Sequence, residues 1–221
     1  RPGQFYRLQN FETLAQRTAD TTLTIRRQPL LEHQPIVPNP ALADALATPA
    51  EWGAIVVTSP RGAQLLADAL ATWADGTHWP PLWGVGDATA APLRAAGRIL
   101  QVGPGGSGAE GAAESLAGAM LAAMVRGPIL FVAGEPHRPD LEARLTDAGL
   151  AVTTVAVYRT SAVPDVELLA AVDRADLMLV ASPTLVAALA AQGDDALRPG
   201  YVAIGATTAA ACRAAGLAPV A

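Results

Sequence analysis

The sequence predicts an α/β protein built from parallel sheets covered by helices on both faces. Three features of the sequence carry this reading. Short apolar runs alternate with helical patterns, one strand–Ser-Pro–helix unit occurs twice, and two proline-punctuated extended stretches divide the chain.

Taken in order, Leu8, Phe11 and Leu14 have helical spacing without the strand that should precede them. Strands are read at Ala54–Val57, Leu82–Val85, Ile99–Val102, Ile129–Ala133, Val152–Val157, Leu177–Ala181 and Tyr201–Ile204, each short, apolar and bounded by turn residues. One intervening helix carries Leu65, Leu66, Ala69 and Leu70, and another carries Ala113, Leu116, Ala117, Met120, Leu121 and Met124. Leu217–Val220 reads as a last strand with no helix after it, so both chain ends are expected to be clipped or disordered. The extended stretches are Ile25–Pro38 and Val155–Pro164. They read as paired crossings between two lobes, or else as ordinary edge strands and loops. The first reading puts residues 1–33 and 161–221 in one lobe and 36–157 in the other, with crossings near 28–38 and 155–164.

Composition removes several function classes. The 221 residues carry a net charge of −5 and only 5% aromatics, and every basic residue is Arg. Nucleic-acid binding needs a basic footprint and stacking surfaces, so it is not expected. Without Lys there is no Schiff-base lysine, no Walker lysine and no receiver-type lysine. Cys212 is the only cysteine, which excludes an intramolecular disulfide and a thiolate cluster. His33, His78 and His137 are widely spaced, so no metal is expected. Gly103–Gly111 is glycine-rich but lacks the Gly-Lys-Ser/Thr ending of a phosphate loop, and is read as a mobile loop. No apolar run approaches the roughly 20 residues needed to cross a bilayer. No signal peptide is visible, and a cytoplasmic monomer is expected. Cys212 is read as core, and Trp73, Trp79 and Trp83 as packing in the middle lobe.

The internal repeat points to a site. Ala54–Pro60 (A-I-V-V-T-S-P) matches Leu177–Pro183 (L-M-L-V-A-S-P), and Gly84–Gly97 matches Ala203–Gly216. In Ser59-Pro60 and Ser182-Pro183 the serine caps a helix and the proline fills the first helical position. Gly86 and Gly205 allow a tight turn, Thr89 and Thr208 fall in the first helical turn, and Gly97 and Gly216 close the helices. Four helix starts at carboxyl ends of strands favour anions. The ligand is therefore expected to be an anion held by amides and hydroxyls where the helix starts face a cleft. The alternative is that both motifs are only capping grammar.

These residues together resemble the uroporphyrinogen-III synthase family over nearly the whole chain. The resemblance rests on Thr58–Leu66, Gly86–Gly97, Ile129–Thr160 with its Gly-Glu turn and Val-Tyr-Arg-Thr end, A-S-P-T-L-V-A-A-L, I-G-A-T-T-A-A-A, and the opening R-P-G-Q, in family order. It implies two interleaved flavodoxin-like lobes joined by a two-stranded linker. It implies closure of linear hydroxymethylbilane to uroporphyrinogen III, with loss of water and inversion of the last pyrrole ring, in haem biosynthesis. No cofactor is implied. The eight carboxylates of the substrate suit a site lined by helix starts, since local amide dipoles can bind a polyanion on an acidic protein.

By this resemblance Tyr158 matches the family's candidate acid, which would help the bilane hydroxyl leave. The other reading of Tyr158 is an amphipathic hinge residue. Thr89, Ser182 and Thr208 match hydroxyls that would donate to substrate carboxylates, and Thr207 competes with Thr208 for its position. Thr58 and Ser59 have the same double reading of cap or ligand contact. Arg61, Arg138 and Arg159 are read either as carboxylate partners or as solvated surface. The competing function is a non-catalytic synthase-like domain that binds a tetrapyrrole or another anion within a longer regulatory chain. A two-lobed solute-binding protein would normally carry an export signal.

Overall fold

The computed structural model describes residues 29–72, 78–98, 100–103, 112–197 and 199–217. The expected N-terminal helix, Trp73, the glycine-rich run after Gly103 and the strand beyond Leu217 lie outside these residues. The chain forms two compact units, one from Arg1–Glu32 with Ser161–Ala221 and the other from His33–Thr160. Both unit boundaries fall inside extended segments, β1 (Leu31–Pro35) and β6 (Val152–Ala162). Ile36 N–H donates to Val157 O at 2.9 Å and Val163 N–H donates to Leu30 O at 3.1 Å, so β1 runs antiparallel to β6.

In the middle unit, β1 is followed by α1 (Pro40–Ala47), β2 (Ala54–Val57), α2 (Pro60–Leu70), β3 (Leu82–Val85), α3 (Gly86–Ala95), β4 (Leu100–Gly103), α4 (Ala112–Ala122), β5 (Ile129–Glu135), α5 (Asp140–Asp147) and β6. The sheet order is β1-β6-β5-β2-β3-β4, and the pairs from β6 to β4 are parallel. The four residues of β2 are all buried, as a central parallel strand covered on both faces requires. On one face α1, α2 and α3 bury Leu42, Leu66 and Leu93 against Ile55, Val57, Leu130 and Val132. On the other, α4 and α5 bury Leu116, Met120 and Leu141 against Val56, Ile129 and Phe131. Strand alternation produces this division, since neighbouring β5 residues serve opposite cores. Winding proceeds from β2 outward to β4, then restarts on the other side of β2 at β5. The reversal opens a crevice at the carboxyl ends of β2 and β5.

One expectation is corrected here. Met124 is not on the buried stripe: α4 stops at Ala122, and Met124 has φ +53° and is 72% exposed. Trp79 and Trp83 pack in the middle unit as expected, on opposite sides of its sheet: Trp83 in the α4/α5 core and Trp79 against the other.

The described part of the second unit comprises α6 (Asp165–Val172), β7 (Leu177–Val180), α7 (Pro183–Ala190), β8 (Gly200–Ala203) and α8 (Ala206–Ala214). The parallel β7–β8 pair and these helices bury Leu168, Val180, Leu189, Tyr201 and Cys212 in a core of their own. Among the described residues no helix is long and apolar enough to cross a membrane.

Candidate functional site

Both Ser-Pro dipeptides cap helices as their chemistry dictates. Ser59 Oγ accepts from Gly62 N–H at 3.0 Å and Ser182 Oγ accepts from Thr184 N–H at 3.2 Å, with Pro60 and Pro183 in the first helical turn. The Gly-x-x-Thr copies differ in backbone. Gly86 has φ +69°, a left-handed conformation that suits glycine, whereas Gly205 sits at φ −152°, open to any residue. The threonines settle the repeat register: Thr89 and Thr208 are 2% and 5% exposed, while Thr207 is exposed like Ala88. Thr208 is thus the counterpart of Thr89, and Thr207 is the accessible hydroxyl of the pair. Gly97 and Gly216 close α3 and α8 with φ +71° and +75°.

The crevice gathers its residues around Tyr158. The β5–β6 register shifts between Ala133 and Gly134, so Ala133 faces Ala156 and Gly134 faces Tyr158. Val157 is the extra residue of a β-bulge, and both Val157 and Tyr158 consequently pack on the α1/α2/α3 core. Strict alternation would have sent Tyr158 to the opposite face. The ring then lies across Gly134, where a Cβ would come within 2.3–2.6 Å of Cζ, Cε2 and the hydroxyl. With β5 so bared, the ring reaches over it, and the Tyr158 hydroxyl donates to Ser59 Oγ at 3.1 Å. Ser59 Oγ therefore accepts two bonds, from Gly62 N–H and from the phenol.

Two basic groups flank the ring. Arg61 Cζ is 5.8 Å from its centroid, and His33 meets it edge-on at 6.0 Å with planes at 75°. His33 Nδ1 lies 2.9 Å from Thr160 Oγ1. Partial burial, and then the Arg61 charge, hold the His33 imidazole below its ordinary 6.5. His33 and Thr160 were missed as site residues because a lone His on an extended segment carries no motif. Only their place opposite one another on β1 and β6 brings them to Tyr158.

The other candidates are placed differently. Thr58 is half-buried at the end of β2. Arg138 pairs with Asp140 at 2.5 Å and Arg159 with Glu135 at 2.9 Å. Ser182, Thr207 and Thr208 stand at the helix starts of the second unit. Beyond β5, Glu142 bonds both His137, at 2.8 Å, and the Thr154 hydroxyl. Burial raises the Glu142 carboxyl, but those two bonds outweigh it and hold it below 4.5. Among the described residues no cluster of His, Cys, Asp and Glu could hold a metal ion. An apolar groove of about 580 Å³ between α1 and α2, walled by Leu42, Leu46, Leu65 and Val157, does not include Tyr158, Ser59 or Arg61.

The family model described as Uroporphyrinogen-III synthase HemD matches residues 12–221. No curated protein matches the chain. Among solved structures, the chain is similar to a mutant uroporphyrinogen III synthase of the thermophile Thermus thermophilus, with 22% identity and a TM-score of 0.61 over 94% of this chain and 86% of that one. It is also similar to the uroporphyrinogen-III synthetase of Helicobacter pylori 26695, with 15% identity and a TM-score of 0.56 over 88% of this chain and 87% of that one. At these identities the likeness shows the fold: α/β, with parallel sheets flanked by helices.

Proposed function

The chain belongs to the uroporphyrinogen-III synthase family, and from that premise we propose that its middle unit carries the proton donor of the family reaction at Tyr158. The family implies hydroxymethylbilane as substrate, and the reaction closes it to uroporphyrinogen III with loss of water and inversion of the last pyrrole ring. The observation that supports the donor is the Tyr158–Ser59 hydroxyl pair, held over Gly134 at the crevice.

The balance of the step is simple. A proton from the phenol joins the departing hydroxyl and leaves as water. For inversion, the methylene freed by loss of water bonds the bridged carbon of the last pyrrole ring, whose bond to its old methylene bridge breaks. That bridge then bonds the ring's unsubstituted carbon, whose hydrogen leaves as a proton and restores the phenol. Negative charge on the phenol oxygen between these events faces the first turn of α2 and Arg61, both of which favour it. Ser59, whose oxygen already accepts two bonds, keeps its own O–H free to donate to a substrate carboxylate. Thr58 and Arg61 at the same crevice, and the hydroxyls of half-buried Ser182 and exposed Thr207 at helix starts of the second unit, are further carboxylate contacts in this reading, whereas Arg138 is held by Asp140 and Thr89 and Thr208 are buried. Holding a flexible bilane in one fold is as much of the task as the proton, since orientation alone supplies large rate factors. The proposal includes action as a cytoplasmic monomer without cofactor, which sedimentation and cell fractionation test.

The deciding experiment supplies hydroxymethylbilane and resolves the product isomers. The expected product is the type III isomer. Type I alone, as forms in buffer, overturns the catalytic reading and favours a binding domain.

A further inference from the structure

Three arginines of the middle unit compete as carboxylate receptors, and the structure separates them. Arg138 and Arg159 are already engaged by Asp140 and Glu135. Arg61 has no carboxylate partner among the described residues, yet stands within 5.8 Å of the Tyr158 ring centroid. His33 comes to the same ring from another element, β1, at 6.0 Å. Its Nδ1 is taken by Thr160, two positions along β6 from Tyr158 and so on the same face. Its Nε2 has no partner among the described residues.

We propose that Arg61 and His33 form a carboxylate subsite beside Tyr158, binding one acidic side chain of the substrate through the guanidinium and through His33 Nε2. This rests on the functional reading above and adds a residue to it. A carboxylate bridging the two groups makes charge-assisted bonds to both, which are about twice as strong as neutral ones. The Thr160 bond holds the imidazole so that Nε2 is the free nitrogen.

Filling the subsite changes its protonation. Empty, the imidazole is disfavoured as a cation by burial and then by Arg61. A bound carboxylate cancels the Arg61 repulsion and adds attraction, so the imidazole gains a proton. Between the midpoints of the empty and filled states, binding takes up a proton, and affinity falls as pH rises through that window. The charged or titratable groups that bear on His33 are Arg61 from α2 and Tyr158 from β6. Alternation turns Glu32 on β1, and Arg159 with its partner Glu135, to the other face.

The chain has three histidines, so NMR resolves the imidazoles and a His33→Gln variant assigns the one that matters. The probe is uroporphyrin, a stable octacarboxylate whose acids are ionised through the relevant range. Saturation is expected to move the His33 midpoint upward. Arg61→Gln is expected to weaken uroporphyrin binding about tenfold, the loss of one charge-assisted contact, and to raise the His33 midpoint of the empty protein. His33→Gln is expected to flatten the pH dependence of affinity. His33 signals unmoved by uroporphyrin, or a pH dependence unchanged in His33→Gln, overturn the subsite. The isomer assay keeps the two readings apart. Type III product with an unmoved His33 overturns the subsite alone, and a moved His33 without type III product overturns the enzyme reading alone.

Discussion

Tyr158→Phe keeps the ring over Gly134 and removes only the hydroxyl bonded to Ser59. Its stability cost is expected near 1 kcal/mol, roughly the worth of one neutral hydrogen bond. Turnover to the type III isomer is expected to fall by about a hundredfold or more if the phenol is the acid. Equal turnover would remove the phenol from the chemistry and leave folding of the bilane as the whole effect. Gly134→Ala tests the same hydroxyl from beneath. Its Cβ would overlap the ring, so the ring must swing off Ser59, with a strain of about 1–3 kcal/mol. Urea midpoints check this: the penalty of Gly134→Ala is expected to vanish in a Tyr158→Ala background, and a penalty that persists there refutes the close-packing account.

At the level of elements, α5 is tied to β6 by Glu142, which accepts from the Thr154 hydroxyl and bonds His137. The folded carboxyl lies below its ordinary 4.5, so the unfolded chain binds its proton first on acidification. The stabilisation is full above that value and is lost as pH falls through the folded one. The gap in urea midpoint between the native chain and Glu142→Gln is therefore expected to shrink from neutral pH to well below 4.5. A constant gap would mean that the contact acts by packing. The bulge in β6 is the other decisive element, because it alone turns Tyr158 onto the face of Ser59.

At the scale of the molecule, among the described residues each unit has core residues of its own. Cys212 is fully buried in one, and burial, partly offset by Arg213, raises its thiol above 9.0. Trp52, Trp79 and Trp83 pack in the other. Thiol labelling in rising urea and tryptophan fluorescence are thus expected to report two transitions with different midpoints. Coincident midpoints would show that the units unfold as one.

The sequence by itself determined the strand–helix alternation, the capping at Ser59 and Ser182, and the glycine closures at Gly97 and Gly216. These depend on neighbours within one or two turns. It also ordered the family motifs, which name the substrate class. Tertiary structure decided what depends on distant partners. Thr89 and Thr208 are buried, which their spacing along the chain does not show. Arg138 and Arg159 are spoken for by acids that a linear reading does not rank. His33 lies 125 positions from Tyr158 and meets it only through an antiparallel pairing. The aim of Tyr158 itself rests on one extra residue in β6, and a two-residue period read along the chain cannot show where that period slips.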